Sequence, residues 1–189
     1  MNKPLILASS SPRRKDLLNQ LQLPFSIYTS NVEELIPDKF SPERAVVYLA
    51  AKKAKAISQQ YPASVVIGAD TMVVSEGIIL GKPKSKDEAF STLKSLSGKV
   101  HEVLTGVSVQ ENQIEKNFFE KTIVTFNELT DDEILRYIES GEPFDKAGSY
   151  GIQGLGAVFV KKIEGDYFSV VGLPISKLYR TLKEIGAIR

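Results

Sequence analysis

The sequence predicts an α/β domain on a mixed, partly antiparallel β-sheet, and three features carry that prediction. Strand-like and helix-like segments alternate along the chain, short apolar runs end at turn-forming residues, and helix-start signals recur at Pro12, Ser41-Pro42, Thr130-Asp131 and Pro174.

Leu5-Ile6-Leu7-Ala8 reads as a short buried strand, and Pro12 suits the first turn of a helix carrying Leu17, Leu18 and Leu21. Phe25 to Thr29 alternates as a second strand, residues 31–40 form a loop, and Ser41-Pro42-Glu43 opens a helix. That helix has Val46, Val47, Leu49, Ala50, Ala54 and Ile57 along one face and Lys52, Lys53 and Lys55 on the other. Val65-Val66-Ile67 is a continuous apolar run stopped by Gly68, as in a central strand buried on both faces, and it delivers Ala69, Asp70 and Thr71 to the strand's end.

Met72 to Ser75 and Ile78 to Leu80 flank Glu76-Gly77 as a hairpin, and Lys86 to Leu96 has helical spacing. Val100 to Val109 and Lys116 to Phe126 read as long strands joined around Glu111-Asn112-Gln113. Thr130-Asp131-Asp132-Glu133 is a capping-box pattern starting a helix that ends near Gly141. After a glycine-rich stretch, Ala157 to Ile163 and Tyr167 to Val171 are strand-like, and Pro174 begins a last helix through Leu178, Leu182 and Ile185.

The 189 residues, 42% of them hydrophobic, can fill a core without covalent staples, so residues 1–189 are read as one domain. Cysteine is absent, which excludes disulfides, thiolate metal sites and a cysteine nucleophile; any metal must take oxygen or nitrogen ligands, favouring magnesium or manganese. A formal charge of +1 gives no global field for nucleic acid or an anionic membrane. The apolar run Leu5 to Ala8 is far too short for a signal-peptide core or a membrane span, and the protein is read as cytoplasmic.

Five segments could carry chemistry. Ser9-Ser10-Ser11-Pro12-Arg13-Arg14-Lys15 places hydroxyls, free backbone N–H groups and two guanidinium forks at a helix N-terminus, a setting suited to phosphate; the same residues also read as a capped helix with a solvated basic face. The Walker A spacing is missing. Asp70 in Gly68-Ala69-Asp70-Thr71 can bind a divalent cation or take a proton from water, or simply cap a turn. Glu33-Glu34 can add oxygen ligands, and Lys82 in Gly81-Lys82-Pro83 joins the lysines of the 42–58 helix as a candidate partner for a polyanion. Lys146 to Gly156 contains four glycines, costly in backbone entropy unless a ligand approaches the main chain closely, though the stretch also reads as a flexible linking loop, and Gln153 there offers a donor and an acceptor side by side. They match the imide edge of uracil or thymine, although a flipped amide matches cytosine equally. His101, the single histidine, is read as structural.

Taken together, Ser9-Ser10-Ser11-Pro12-Arg13-Arg14, Gly68-Ala69-Asp70-Thr71, Gly81-Lys82-Pro83, Leu96-Ser97-Gly98-Lys99, the 146–154 stretch and Val171-Gly172-Leu173-Pro174 resemble the Maf family of nucleotide pyrophosphatases over essentially the whole chain. The resemblance implies an elongated sheet flanked by helices, two lobes with a central cleft as in inosine triphosphate pyrophosphatases, and often a homodimer. It also implies hydrolysis between the α- and β-phosphates, with a role in cleansing the nucleotide pool or arresting cell division. Asp70 then corresponds to the general base, Arg13, Arg14, Lys53 and Lys82 with Ser9 to the phosphate-binding set, and Glu34, with Glu33 as alternate, to a carboxylate near the metal that Asp70 also meets. Arg13, Thr71 and Gln153 together look like the branch acting on dTTP and UTP. The rival readings are a nucleotide sensor that binds without turnover and a nucleotidyltransferase needing a second substrate.

Overall fold

The computed structural model describes residues 3–188. Among them the sheet has seven strands: β1 (Leu5–Leu7), β2 (Phe25–Ile27), β3 (Val65–Ser75), β4 (Ile78–Leu80), β5 (Val100–Glu111), β6 (Ile114–Phe126) and β7 (Val160–Glu164). Their order is β2-β1-β3-β5-β6-β7, with β4 alongside β3. The helices are α1 (Pro12–Asn19), α2 (Pro42–Ser58), α3 (Lys86–Leu96), α4 (Asp131–Glu139), α5 (Tyr167–Val171) and α6 (Ile175–Glu184), with 3-10 turns at Glu142–Asp145, Ala147–Ser149 and Leu155–Phe159. The α/β class and the mixed sheet are as the sequence predicts.

By internal contacts the chain forms two compact units. The first comprises Met1–Asp70, Thr105–Glu120 and Gly172–Arg189, the second Thr71–Leu104 and Lys121–Val171. Strands β3, β5 and β6 contribute residues to both.

In the first unit β1 pairs in parallel with β2 and with β3, in the register Leu5↔Val65 and Leu7↔Ile67. Helix α1 starts where Pro12 presets φ and the Ser11 hydroxyl accepts from Arg14 N. Helix α2 repeats the device at Ser41-Pro42 and lays Ala54 and Ile57 onto Ile6, Ala8 and Val66. Each fully buried valine or isoleucine there contributes roughly 1.5–3 kcal/mol.

Gly68 does not stop β3, contrary to the sequence expectation; the strand runs on to Ser75 and Asp70 lies within it. Its missing side chain serves a different purpose. A Cβ at Gly68 would collide with the Ala50 carbonyl and come within 2.7 Å of Ala54 N, and one at Gly106 in β5 would come within 2.5 Å of the Val46 carbonyl. The two glycines let the α2 backbone settle on the sheet. It is β1 that ends at this level: its last pair with β3 is Leu7↔Ile67.

In the second unit β3 and β4 form the expected hairpin, pairing Ser75 with Ile78 through Glu76 and Gly77, both at positive φ (51° and 78°). Its core joins Leu93 and Leu96 of α3 to Ile134 and Ile138 of α4 and to Phe126. The capping box at Thr130 and Glu133 is formed, and Gly141 (φ 77°) follows the helix end. His101 is structural, as predicted: its Nε2 lies 2.8 Å from the Tyr150 hydroxyl, Phe126 packs edge-on, and burial depresses its pKa to about 4.

Two strand expectations change. Strand β7 starts only at Val160, because residues 155–159 coil into a 3-10 turn. Residues 167–171 are helical (α5), despite two valines: Asp166 accepts from Ser169 N through Oδ2 (2.9 Å) and from Phe168 N through Oδ1 (3.3 Å), capping a helix start. Thr122 anchors the cap by accepting from Asp166 N at 3.0 Å.

Candidate active site

Because side chains alternate along a strand, Asp70 leaves β3 on the same face as Gly68, the face against α2. The close seating of α2 therefore brings Lys53 to it: Lys53 Nζ lies 2.6 Å from Asp70 Oδ1. The same ammonium lies 2.7 Å from Glu34 Oε1, which reaches in from the loop before α2. Lys53 and Asp70 side chains are only 12% and 10% exposed, whereas Glu34 is 57% exposed, so the buried pair is met by a carboxylate open to solvent.

Arg14 completes the charge balance from α1. Its Nε donates to the Gly172 carbonyl at 2.8 Å and its Nη1 to the Ser9 hydroxyl at 3.3 Å, and Ser9 Oγ also accepts from Ser11 N. Burial lowers the Arg14 pKa against the pull of Asp70, with Arg13 adding to the depression and Glu34 opposing it. Burial likewise raises the Asp70 pKa from its ordinary value, opposed by Lys53 and Arg14. A buried carboxylate with a raised proton affinity is a better base than a solvated one.

Of the two neighbouring lysines, Lys53 faces Asp70, while Lys52 Nζ donates to the Glu33 carbonyl at 2.6 Å. Of the two glutamates, Glu34 joins the cluster through its carboxylate and Glu33 offers Lys52 its main chain. The first unit thus gathers Ser9, Arg14, Lys53, Asp70 and Glu34, with Arg13 acting electrostatically on Arg14.

Thr71, Lys82 and Gln153 belong to the second unit. Thr71 follows Asp70 in β3 and so projects from the opposite face. Lys82 is exposed on a turn whose preceding carbonyl, Gly81 O, accepts from Gly148 N at 3.1 Å. Gln153 is exposed at the tip of the glycine-rich segment.

That segment holds what the sequence reading misses. Its glycines make room for an internal carboxylate: Glu142 accepts from Leu155 N (2.8 Å) and Gly156 N (3.3 Å), and a Cβ at Gly154 would collide with it. The excess of glycine signals a close approach to the main chain, but nothing in the sequence names Glu142 as the partner.

A family model described as Maf-like protein matches residues 4–185. The chain belongs to the Maf family. Curated Maf relatives are close over nearly their full lengths. A dTTP/UTP pyrophosphatase from Geobacillus sp. (strain WCH70) is 56% identical over 97% of this chain and 99% of its own. One of the same name from Bacillus pumilus is 57% identical over 96% of each chain. Among solved structures, a nucleoside-triphosphatase / dITP/XTP pyrophosphatase from Mycobacterium abscessus aligns with 98% of this chain and 100% of its own at 10% identity and a TM-score of 0.48. Among the described residues no helix is long and apolar enough to cross a membrane.

Proposed function

We propose that this chain hydrolyses nucleoside triphosphates, dTTP and UTP foremost, to the nucleoside monophosphate and pyrophosphate. The observation that carries the reading is the meeting of Asp70 and Glu34 on Lys53 Nζ beside Arg14, in a Maf chain whose full-length relatives are named dTTP/UTP pyrophosphatase.

Arg13, Arg14 and Lys53, with the Ser9 hydroxyl, hold the phosphate oxygens, and Asp70 takes the proton of the attacking water. The water oxygen bonds to the α-phosphorus, the bond from that phosphorus to the α–β bridging oxygen breaks, and pyrophosphate leaves with that oxygen. In the second unit, Lys82 is assigned to phosphate and Thr71 and Gln153 to the base.

A divalent cation, magnesium or manganese, suits the donor set, since Asp70 and Glu34 already direct oxygens at one cationic centre. Asp70 and Glu34 would hold such an ion by their carboxylate oxygens, with phosphate oxygens of the bound triphosphate as further ligands. When bound, such an ion neutralises phosphate charge and acidifies coordinated water. Residues 1–189 acting as one functional domain, a homodimer and a cytoplasmic location complete the proposal.

The test is incubation of the purified protein with a panel of triphosphates and magnesium or manganese, separating the products. Monophosphate plus pyrophosphate from dTTP and UTP, abolished by EDTA, supports the reading. Binding without turnover replaces it with a sensor, and turnover only with an added acceptor replaces it with a transferase.

A further inference from the structure

Three main-chain N–H groups around Gln153 end, directly or through one phenol, at a single carboxylate. Leu155 N and Gly156 N donate to Glu142 at 2.8 and 3.3 Å. On the other side of Gln153, Gly151 N donates to the Tyr137 hydroxyl at 3.1 Å, and that hydroxyl donates to Glu142 Oε1 at 3.0 Å. Gln153 stands exposed between these anchors, in a segment whose glycines would otherwise leave it loose.

We propose that Glu142, acting with Tyr137, is the positioning residue of this protein's base-reading loop: it fixes the backbone on both sides of Gln153 so that the amide meets the nucleotide base without first being ordered. The inference rests on the proposed function, in which Gln153 contacts the base.

Several observations support a clamp built into the fold. Gly154 has no room for a side chain because the Glu142 carboxylate occupies that space, and a Cβ at Gly156 would sit 3.0 Å from the Tyr137 hydroxyl. Lys146 Nζ donates to the Glu142 carbonyl at 2.6 Å, which holds the turn that carries the carboxylate. Burial pushes the Tyr137 phenol well above its ordinary pKa, so it stays protonated and keeps donating. A rigid loop binds base without an ordering cost, so the clamp acts on substrate affinity rather than on the chemical step.

The experiment compares wild type, Glu142→Gln and Tyr137→Phe by amide hydrogen exchange of residues 151–156 and by steady-state kinetics on UTP, with inorganic tripolyphosphate as a competitive inhibitor lacking a base. In wild type the Gly151, Leu155 and Gly156 amides are protected; Glu142→Gln loses that protection at Leu155 and Gly156, Tyr137→Phe loses it at Gly151, and α3 and α4 keep theirs in both. The KM for UTP rises about tenfold in Glu142→Gln, while kcat and the tripolyphosphate inhibition constant change less than about twofold. Unprotected amides in wild type overturn the clamp whether or not the protein is a pyrophosphatase. An unchanged KM, or a parallel weakening of tripolyphosphate and UTP, overturns the positioning role. If Glu142→Gln fails to fold, Tyr137→Phe decides by the same readouts. No turnover of UTP by wild type, with the amides protected, removes the proposed function and with it the link to base recognition.

Discussion

Lys53 Nζ lies 2.6 Å from Asp70 Oδ1, whereas its helix neighbour Lys52 sends its ammonium to the Glu33 carbonyl, also at 2.6 Å. One residue along α2 turns a side chain by about 100°, so two chemically identical neighbours reach different partners. Lys53→Met removes the ammonium between two carboxylates and should lower kcat/KM by about 100-fold or more, the scale of losing a preorganised charge that meets a transferring phosphate. Lys52→Met should change it by no more than about twofold, as surface substitutions do. Equal losses in the two variants would place the wrong lysine at the site.

The two glutamates differ in the same way. Glu34→Gln should raise the magnesium or manganese concentration giving half-maximal activity by about tenfold, as removal of a group that shapes a metal site does. Glu33→Gln, whose main-chain carbonyl does the bonding, should leave that concentration unchanged. Metal titrations of activity on both variants check the pair, and a shift in Glu33→Gln alone would reassign the ligand.

Gly68 is where fold and chemistry meet. Gly68→Ala forces a methyl group against the α2 backbone at Ala50 and Ala54, and relief requires the helix to lift. Such overpacking costs about 1–3 kcal/mol. Urea unfolding should show that loss, and turnover should fall further than stability explains because Lys53 moves with α2. A variant as stable and as active as wild type would mean that the helix is not held by this contact.

His101 sets a pH dependence of stability. Its folded pKa of about 4 lies below the ordinary value of 6.5, so the unfolded chain takes up a proton that the folded one refuses. Above pH 6.5 both states are neutral at this site and its contribution is whole; it is lost as pH falls from about 6.5 through 4. At pH 5 the loss is about 2 kcal/mol. His101→Gln can still bond Tyr150 but does not titrate, so urea unfolding at pH 7.5 and 5 should show a smaller acid loss in the variant by about that amount. The same acid loss in both proteins would contradict the assignment.

Signals written within a few residues were legible in the sequence. Ser11-Pro12 and Ser41-Pro42 start their helices, Glu76-Gly77 turns its hairpin, and Thr130 and Glu133 form their capping box. Features that depend on distant partners were not. Gly68 looks like a strand terminator until α2 is laid across it, and the apolar run at 167–171 looks like a strand until Asp166 caps it. The site divides along the same line: its residue types were readable and the family resemblance pointed to Lys53 and Glu34, but how Lys53 meets both carboxylates while Lys52 turns to the Glu33 carbonyl depends on the packing of α2 against β3. Glu142 was invisible because its partners are main-chain amides, which every sequence offers.

The central claim is that water, deprotonated by Asp70, attacks the α-phosphorus of a pyrimidine triphosphate. The direct measurement is a reaction of UTP with wild type and Asp70→Asn in water labelled with heavy oxygen, with magnesium or manganese, followed by mass analysis of every product. The account predicts labelled UMP and unlabelled pyrophosphate from wild type, with Asp70→Asn slower by about 100-fold or more. Label in pyrophosphate or orthophosphate, or near-normal turnover by Asp70→Asn, would contradict it.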